Sequence, residues 1–248
     1  MPTHTSIRRG HTPLFPLTNR SAMHLPRTAL AGLLTVTAIA TAIGAATAAD
    51  SADLSVKGAI KPSACNVNLS SDAVVDFGTI AASSLSPTDI TRLTATSFSL
   101  TIQCDAATRI AVTTIDGRKG TADPAAGSAI NASSTAWYGA GNIDGRPVGA
   151  YTLRRDEDTT TTADGAEAAI LFSQDNGQSW SNTMPTDWAE PEHRTHAWSP
   201  AGASSPGAYK TISQQWRLDF AIAKRNDLPP LIDAIPLDGV MTFQVKYL

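Results

Sequence analysis

Cysteine is scarce in this chain: Cys65 and Cys104 are the two it has. No further thiol is left to complete a metal site, so neither a metal nor a cofactor is expected. No G-x-S-x-G stretch occurs, and beyond residue 48 the histidines reduce to His193 and His196. A nucleophile would find few bases to activate it, which points away from an enzyme. Basic residues are thin as well. Four of the 19, Arg8, Arg9, Arg20 and Arg27, fall within the first 48 residues, and none of the 22 acidic ones do. Beyond residue 48 that leaves 15 against 22, a net charge of −7. A mildly acidic surface speaks against a nucleic-acid partner, because phosphates need a basic face. Amphipathic helical periodicity is missing too, and that turns the reading toward strands.

What is present begins with a leader, residues 1–48. From Met23 the pattern is that of a secretory signal: Arg27, an apolar run over 29–45, and the small-residue site Ala46-Thr47-Ala48. Met23 is the expected functional start, and the mature chain would begin near Ala49; a membrane span is the alternative reading of the apolar run. About 200 residues remain, enough for one sizeable β domain over 49–248. In an exported chain two cysteines read as a disulfide, Cys65–Cys104, with two buried free thiols as the alternative.

Residues 54–60, 74–77, 97–104 and 109–115 read as strands. The third alternates cleanly, with Phe98, Leu100, Ile102 and Cys104 on one face. Ser86-Pro87-Thr88-Asp89 has the capping pattern of one helical turn. Between 117 and 209 Gly, Pro, Ser, Thr and Ala dominate. Strands are expected at 135–138, 149–153 and 168–173, a solvated loop at Asp156-Glu157-Asp158, and a long irregular loop over 182–206, which carries four prolines. Residues 215–222 and 240–247 restore strand character, the last entered from a turn at Asp238-Gly239. Many short strands imply an all-β, antiparallel β-sandwich.

Three stretches in order, "VKGAIKPSAC", "VVDFGTI" followed by "SFSLTIQC", and the terminal "GVMTFQVKYL", resemble subunits of chaperone–usher fimbriae. Most similar are the fimbrial-like proteins of unknown function encoded beside chaperone and usher genes. The likeness covers roughly 54–115 and 215–248, whereas 117–209 is an expanded, loop-rich middle. It implies an immunoglobulin-like, pilin-type sandwich lacking its final strand. The implied partners are a periplasmic chaperone, an outer-membrane usher and other fimbrial subunits. They would bind by strand addition along the last strand, where Met241, Phe243, Val245 and Tyr247 share a face and Leu248 follows. The implied route is export to the periplasm and then to the cell surface. With the first strand starting near Leu54, five residues spanning about 17 Å and without a large apolar side chain precede it. A subunit so built accepts a strand but does not easily donate one, which suits the tip of a fimbrium or a subunit that does not polymerise.

The stretch Ser173-x-Asp175-x-Gly177-x-x-Trp180 resembles the Asp-box of sialidases and other β-propeller glycosidases. One copy is present, and six blades do not fit in about 200 residues, so a structural turn between two strands is expected. His193-Arg-Thr-His196 reads as loop surface rather than half a metal site. Aromatic residues gather in the middle, and Trp188 and Trp198, beside prolines, are the candidates for contact with a host glycan or protein receptor. The resulting expectation is an exported fimbrial-like subunit. The alternative is a self-contained carbohydrate- or protein-binding sandwich that does not polymerise.

Overall fold

Alternation between Ser97 and Gln103 commits Phe98, Leu100 and Ile102 to one face, and all three are buried. They belong to a computed structural model that describes residues 54–59, 63–131, 133–183 and 188–248. The expected signal sequence, its expected cleavage site and Met23 lie outside the described residues. The chain divides into two compact units, Met1–Lys57 and Gly58–Leu248, and the fold described below is that of the second.

Seven main strands carry it: β1 (Cys65–Leu69), β2 (Thr96–Asp116), β3 (Gly149–Arg155), β4 (Ala169–Ser173), β5 (Thr195–Ser199), β6 (Ala208–Ile222) and β7 (Met241–Tyr247). A short helix, α1 (Pro124–Ile130), follows β2. All pairings among these strands are antiparallel. The stretches expected as separate strands at 97–104 and 109–115 are one element, β2, and it serves two layers. Its first half pairs with β1 through Leu100–Cys104 and with β6 through Thr96–Gln103. Its second half pairs with β7 through Ile110–Asp116 and with β5 through Ala111–Thr113. Between the halves the register slips: Gln103 faces Thr211 but Thr108 faces Tyr209. Three extra residues of β2 are looped out there, and such a bulge lets a strand turn a sandwich corner.

One layer therefore runs β1-β2-β6-β3, and the other runs β7-β2-β5-β4. Their inner faces meet through aromatic rings: Phe98 and Trp216 from the first layer lie 6.2 Å and 5.7 Å from Phe243 of β7. The architecture is the expected all-β sandwich. Among the described residues no helix is long and apolar enough to cross a membrane.

Several local expectations are corrected. Residues 54–59 form no strand, and Leu54 and Val56 are each 89% exposed; the first strand starts at Cys65. Residues 74–77 form no strand either, although Val75 and Phe77 pack on the core. Ser86 Oγ does accept the Asp89 amide proton at 3.0 Å, but no helix follows. Residues 135–138 hold a 3-10 turn, Ser134–Ala136, before the short strand Tyr138–Gly139. The stretch 182–206 is not all loop, because β5 lies inside it. No turn forms at Asp238-Gly239; Arg118 pairs with Asp238 there at 2.7 Å. Asp156 is buried and accepts from Ser97 Oγ at 2.6 Å, whereas Glu157 and Asp158 are exposed in a turn, so the solvated loop holds for those two alone.

Cys65 and Cys104 are bonded, as cross-strand partners 4.0 Å apart at Cα. Their bridge closes a 39-residue separation, for which chain entropy suggests about 4 kcal/mol. The double variant Cys65→Ala/Cys104→Ala should lose about 2–4 kcal/mol of stability in urea melts. Amide exchange should rise first in β1, which the remaining bonds hold along one edge. A variant as stable as the parent would contradict this.

Candidate functional site

β1 and β7 are neighbours of the same strand, yet they lie in different layers. Among the described residues each pairs with β2 alone. Between them runs a seam at which the sandwich is not closed. On one side stand Val67 and Leu69 of β1, then Val75, Phe77 and Ile80 of the strandless segment after it. On the other stand Ile235 and Leu237, then Met241, Phe243 and Val245 of β7. All ten pack on the core but stay half-buried, whereas the central residues Leu100, Ile102, Leu153 and Trp216 are fully enclosed. A cavity of about 150 Å³ lies in the seam, lined by Leu69, Val75, Phe77, Phe220, Leu237 and Met241 among others. A second, of about 420 Å³, continues between 75–80 and 231–237. Apolar side chains left half in water are an unspent driving force.

The seam closes at one end. The Cys65 amide donates to Tyr247 Oη at 3.0 Å, and the Leu248 amide donates to Arg109 O at 3.1 Å. Of the five C-terminal residues singled out from sequence, Met241, Phe243 and Val245 thus face the core along the seam. Tyr247 and Leu248 are about half exposed and sit at the closed end.

The Asp-box stretch is a turn, as expected, and its chemistry is complete. Phe172 and Ser181 exchange backbone bonds at 2.8 and 2.9 Å. Inside that closure Ser173 Oγ donates to Asp175 Oδ1 at 2.7 Å and accepts the Gly177 amide at 2.7 Å. Asp175 also accepts the amides of Gln178 and Ser179 and the Ser179 hydroxyl. Those donors hold its carboxyl well below the ordinary carboxylate range. Gly177 takes φ +95°, which a side chain would strain. Trp180 packs on Ala111, Leu171 and Ala197, so the loop covers the outer face of the second layer.

The aromatic candidates are corrected. Trp198 is 1% exposed on β5, with its Nε1 donating to Gln214 Oε1 at 2.8 Å. Trp188 is half-buried, and the Arg154 guanidinium lies 5.6 Å from its ring centre. Neither forms an exposed aromatic platform. His193 lies exposed in a turn, whereas His196 is not loop surface: it is on β5 and buried. Among the described residues no group of three or more His, Cys, Asp or Glu side chains could hold a metal ion.

Sequence reasoning missed His196 as a core residue. Its ring stands edge-on between Phe172, at 5.1 Å, and Trp216, at 5.3 Å. Neither ring nitrogen has a hydrogen-bond partner. Burial, helped by the nearby Arg194 charge, pushes its pKa down to about 3.

The family described as "Protein of unknown function (DUF1120)" matches residues 54–163, less than half of the chain. Protein GltF of Escherichia coli (strain K12) is 28% identical over 253 residues, covering 85% of this chain and 94% of its own length. The uncharacterized protein YhcF of the same strain is 24% identical over 226 residues, covering 82% of this chain and 93% of its own. Likeness on that scale is not confined to the two ends of the chain, where the three stretches quoted from the sequence lie.

The buried imidazole gives a test. Folded, His196 stays neutral down to about pH 3; unfolded, it takes a proton below about pH 6.5. The unfolded chain therefore binds more protons within that window. The stability is intact above pH 6.5 and falls toward acid, by up to about 1.4 kcal/mol per pH unit. His196→Phe should flatten that loss in urea melts run between neutral and acid pH. A constant offset between variant and parent at every pH would refute it.

Proposed function

We propose that this chain is an exported fimbrial-like structural subunit, carried by a periplasmic chaperone to an outer-membrane usher. Its seam is completed by an extended strand from the chaperone and then from a neighbouring subunit. The observation that carries the reading is a run of ten half-buried apolar side chains along two facing edges, β1 with residues 75–80 and 235–237 with β7. An inserted strand would meet unpaired backbone on the β7 edge and a row of apolar contacts from Met241 to Val245. Main-chain bonds would supply affinity, and alternate side chains would supply specificity. The signal-like leader supports export.

A subunit that accepts but does not easily donate requires a first strand at Leu54. With that strand starting at Cys65, residues 54–59 become an exposed, strandless stretch carrying Leu54 and Val56 at alternate positions. Alternation without a partner strand in the described fold suits a donor. The proposed subunit therefore both accepts and offers a strand, and a place at the tip is not required.

The test appends residues 50–62 to the C-terminus through a flexible linker. Filling the seam should raise the midpoint of thermal unfolding, at about 2–4 °C for each kcal/mol gained. The same fusion with Leu54→Asp and Val56→Asp in the appended copy should show no rise. An unmodified chain that is soluble without a chaperone, and gains nothing from the appended strand, would instead be a self-contained binding sandwich.

A further inference from the structure

Away from the seam's half-buried walls, three loops converge where β2 ends. They bring Asp116 and Lys119, Ser134 and Thr135 with Trp137, and Glu192 and His193 around a cavity of about 300 Å³. That volume is at the lower end of small-molecule sites.

The indole is fixed before any ligand arrives. Trp137 Nε1 donates to Asn131 O at 2.8 Å, and the ring lies against Gly127 of α1. A Cβ added at Gly127 would stand 2.4 Å from the ring, so the helix keeps a glycine where the indole rests. A rigid aromatic wall loses little entropy on binding.

The remaining groups are polar, and their charges do not favour an anion. Asp116 is buried and accepts the amides of Arg118 and Gly139 at 2.8 and 2.9 Å. Lys119 and Glu192 form an ion pair at 2.5 Å across the rim. Among the described residues lining the cavity, Lys119 is the ammonium, and Glu192 offsets it, so a phosphate or carboxylate would have to compete for it. Glu192 is held at φ +63°, a conformation uncommon for a residue with a side chain and one that gathers at binding sites.

A fixed indole beside hydroxyl, imidazole, ammonium and carboxylate groups is complementary to a ligand with an apolar C–H face and a rim of hydroxyls. We propose that this cavity binds an uncharged saccharide unit, with Trp137 as the stacking wall and Ser134, Thr135, Lys119, Glu192 and His193 as its polar contacts. The site does not depend on whether the seam takes a strand.

The experiment is saturation-transfer NMR on the purified full chain with the methyl glycosides of glucose, galactose, mannose and N-acetylglucosamine, and with inorganic phosphate as the anionic probe. At least one glycoside should receive saturation, and phosphate should not compete with it. Thr135 is exposed, so Thr135→Trp fills the cavity without disturbing the core and should lower the signal at least tenfold. Trp137→Ala should do the same. Three results would each overturn the proposal: no transfer to any glycoside, equal transfer in the Thr135→Trp chain, or displacement by phosphate.

Discussion

β2 is the strand from which both layers hang. Because it turns the corner at Cys104–Ala107, its first half belongs to one sheet and its second to the other. The strands on one of its edges, β1 and β7, must then end in opposite layers. They come together at the bend, where the disulfide and the Cys65–Tyr247 hydrogen bond lie. Away from the bend they separate, and the core between them is uncovered. The seam is thus a consequence of how one strand is shared.

The same strand explains which residues are small. Beyond the bend β2 is buried on both faces from Ile110 to Thr114. Ile110 and Val112 belong to the main core, while Ala111 lies beside Ala197 under Trp180. The Asp-box turn places that indole, and its tip also reaches the end of the chain: Asn176 bonds Lys246, and Gly177 lies close to Leu248. A motif that resembles one found in glycosidases here covers a sheet face and braces the end of β7 and Leu248 after it.

Much of this was legible in the sequence. Period-two alternation placed the first half of β2 and the whole of β7 with their inward faces, because one buried face is what that pattern encodes. The disulfide followed from a single pair of cysteines in a chain read as exported, and the Asp-box turn from its resemblance to a known motif. The misreadings share a cause. Alternation at 54–60 records a segment able to pair, but it does not say that a partner lies in the same chain. Prolines around Trp198 and His196 suggested a loop, yet Pro191 and Pro200 merely flank a five-residue strand whose side chains all face inward or under a cover. Two turns could have been read and were not: Asp144-Gly145 and Asp164-Gly165, both with positive φ at each residue, are the Asp-Gly pairs that two-residue hairpins favour. Asp123 before Pro124 is likewise a cap that announces α1. The Trp137 cavity has no such signature, because its residues come from three separate loops.

The seam also bears on why the chain does not close itself. The stretch that runs into β7 is long enough to lie along the opening, and it does put Ile235 and Leu237 against the core. It carries Pro229, Pro230 and Pro236, each lacking the amide proton that a ladder needs. Among the described residues, 234–240 form no strand; the Asp238 amide bonds Ala140 O, and Arg118 grips the Asp238 carboxylate. Side chains there can cover part of the core while the backbone cannot add a strand. A segment that shields apolar surface without satisfying the β7 edge leaves that edge without a strand partner among the described residues, which is the condition the proposed strand addition needs.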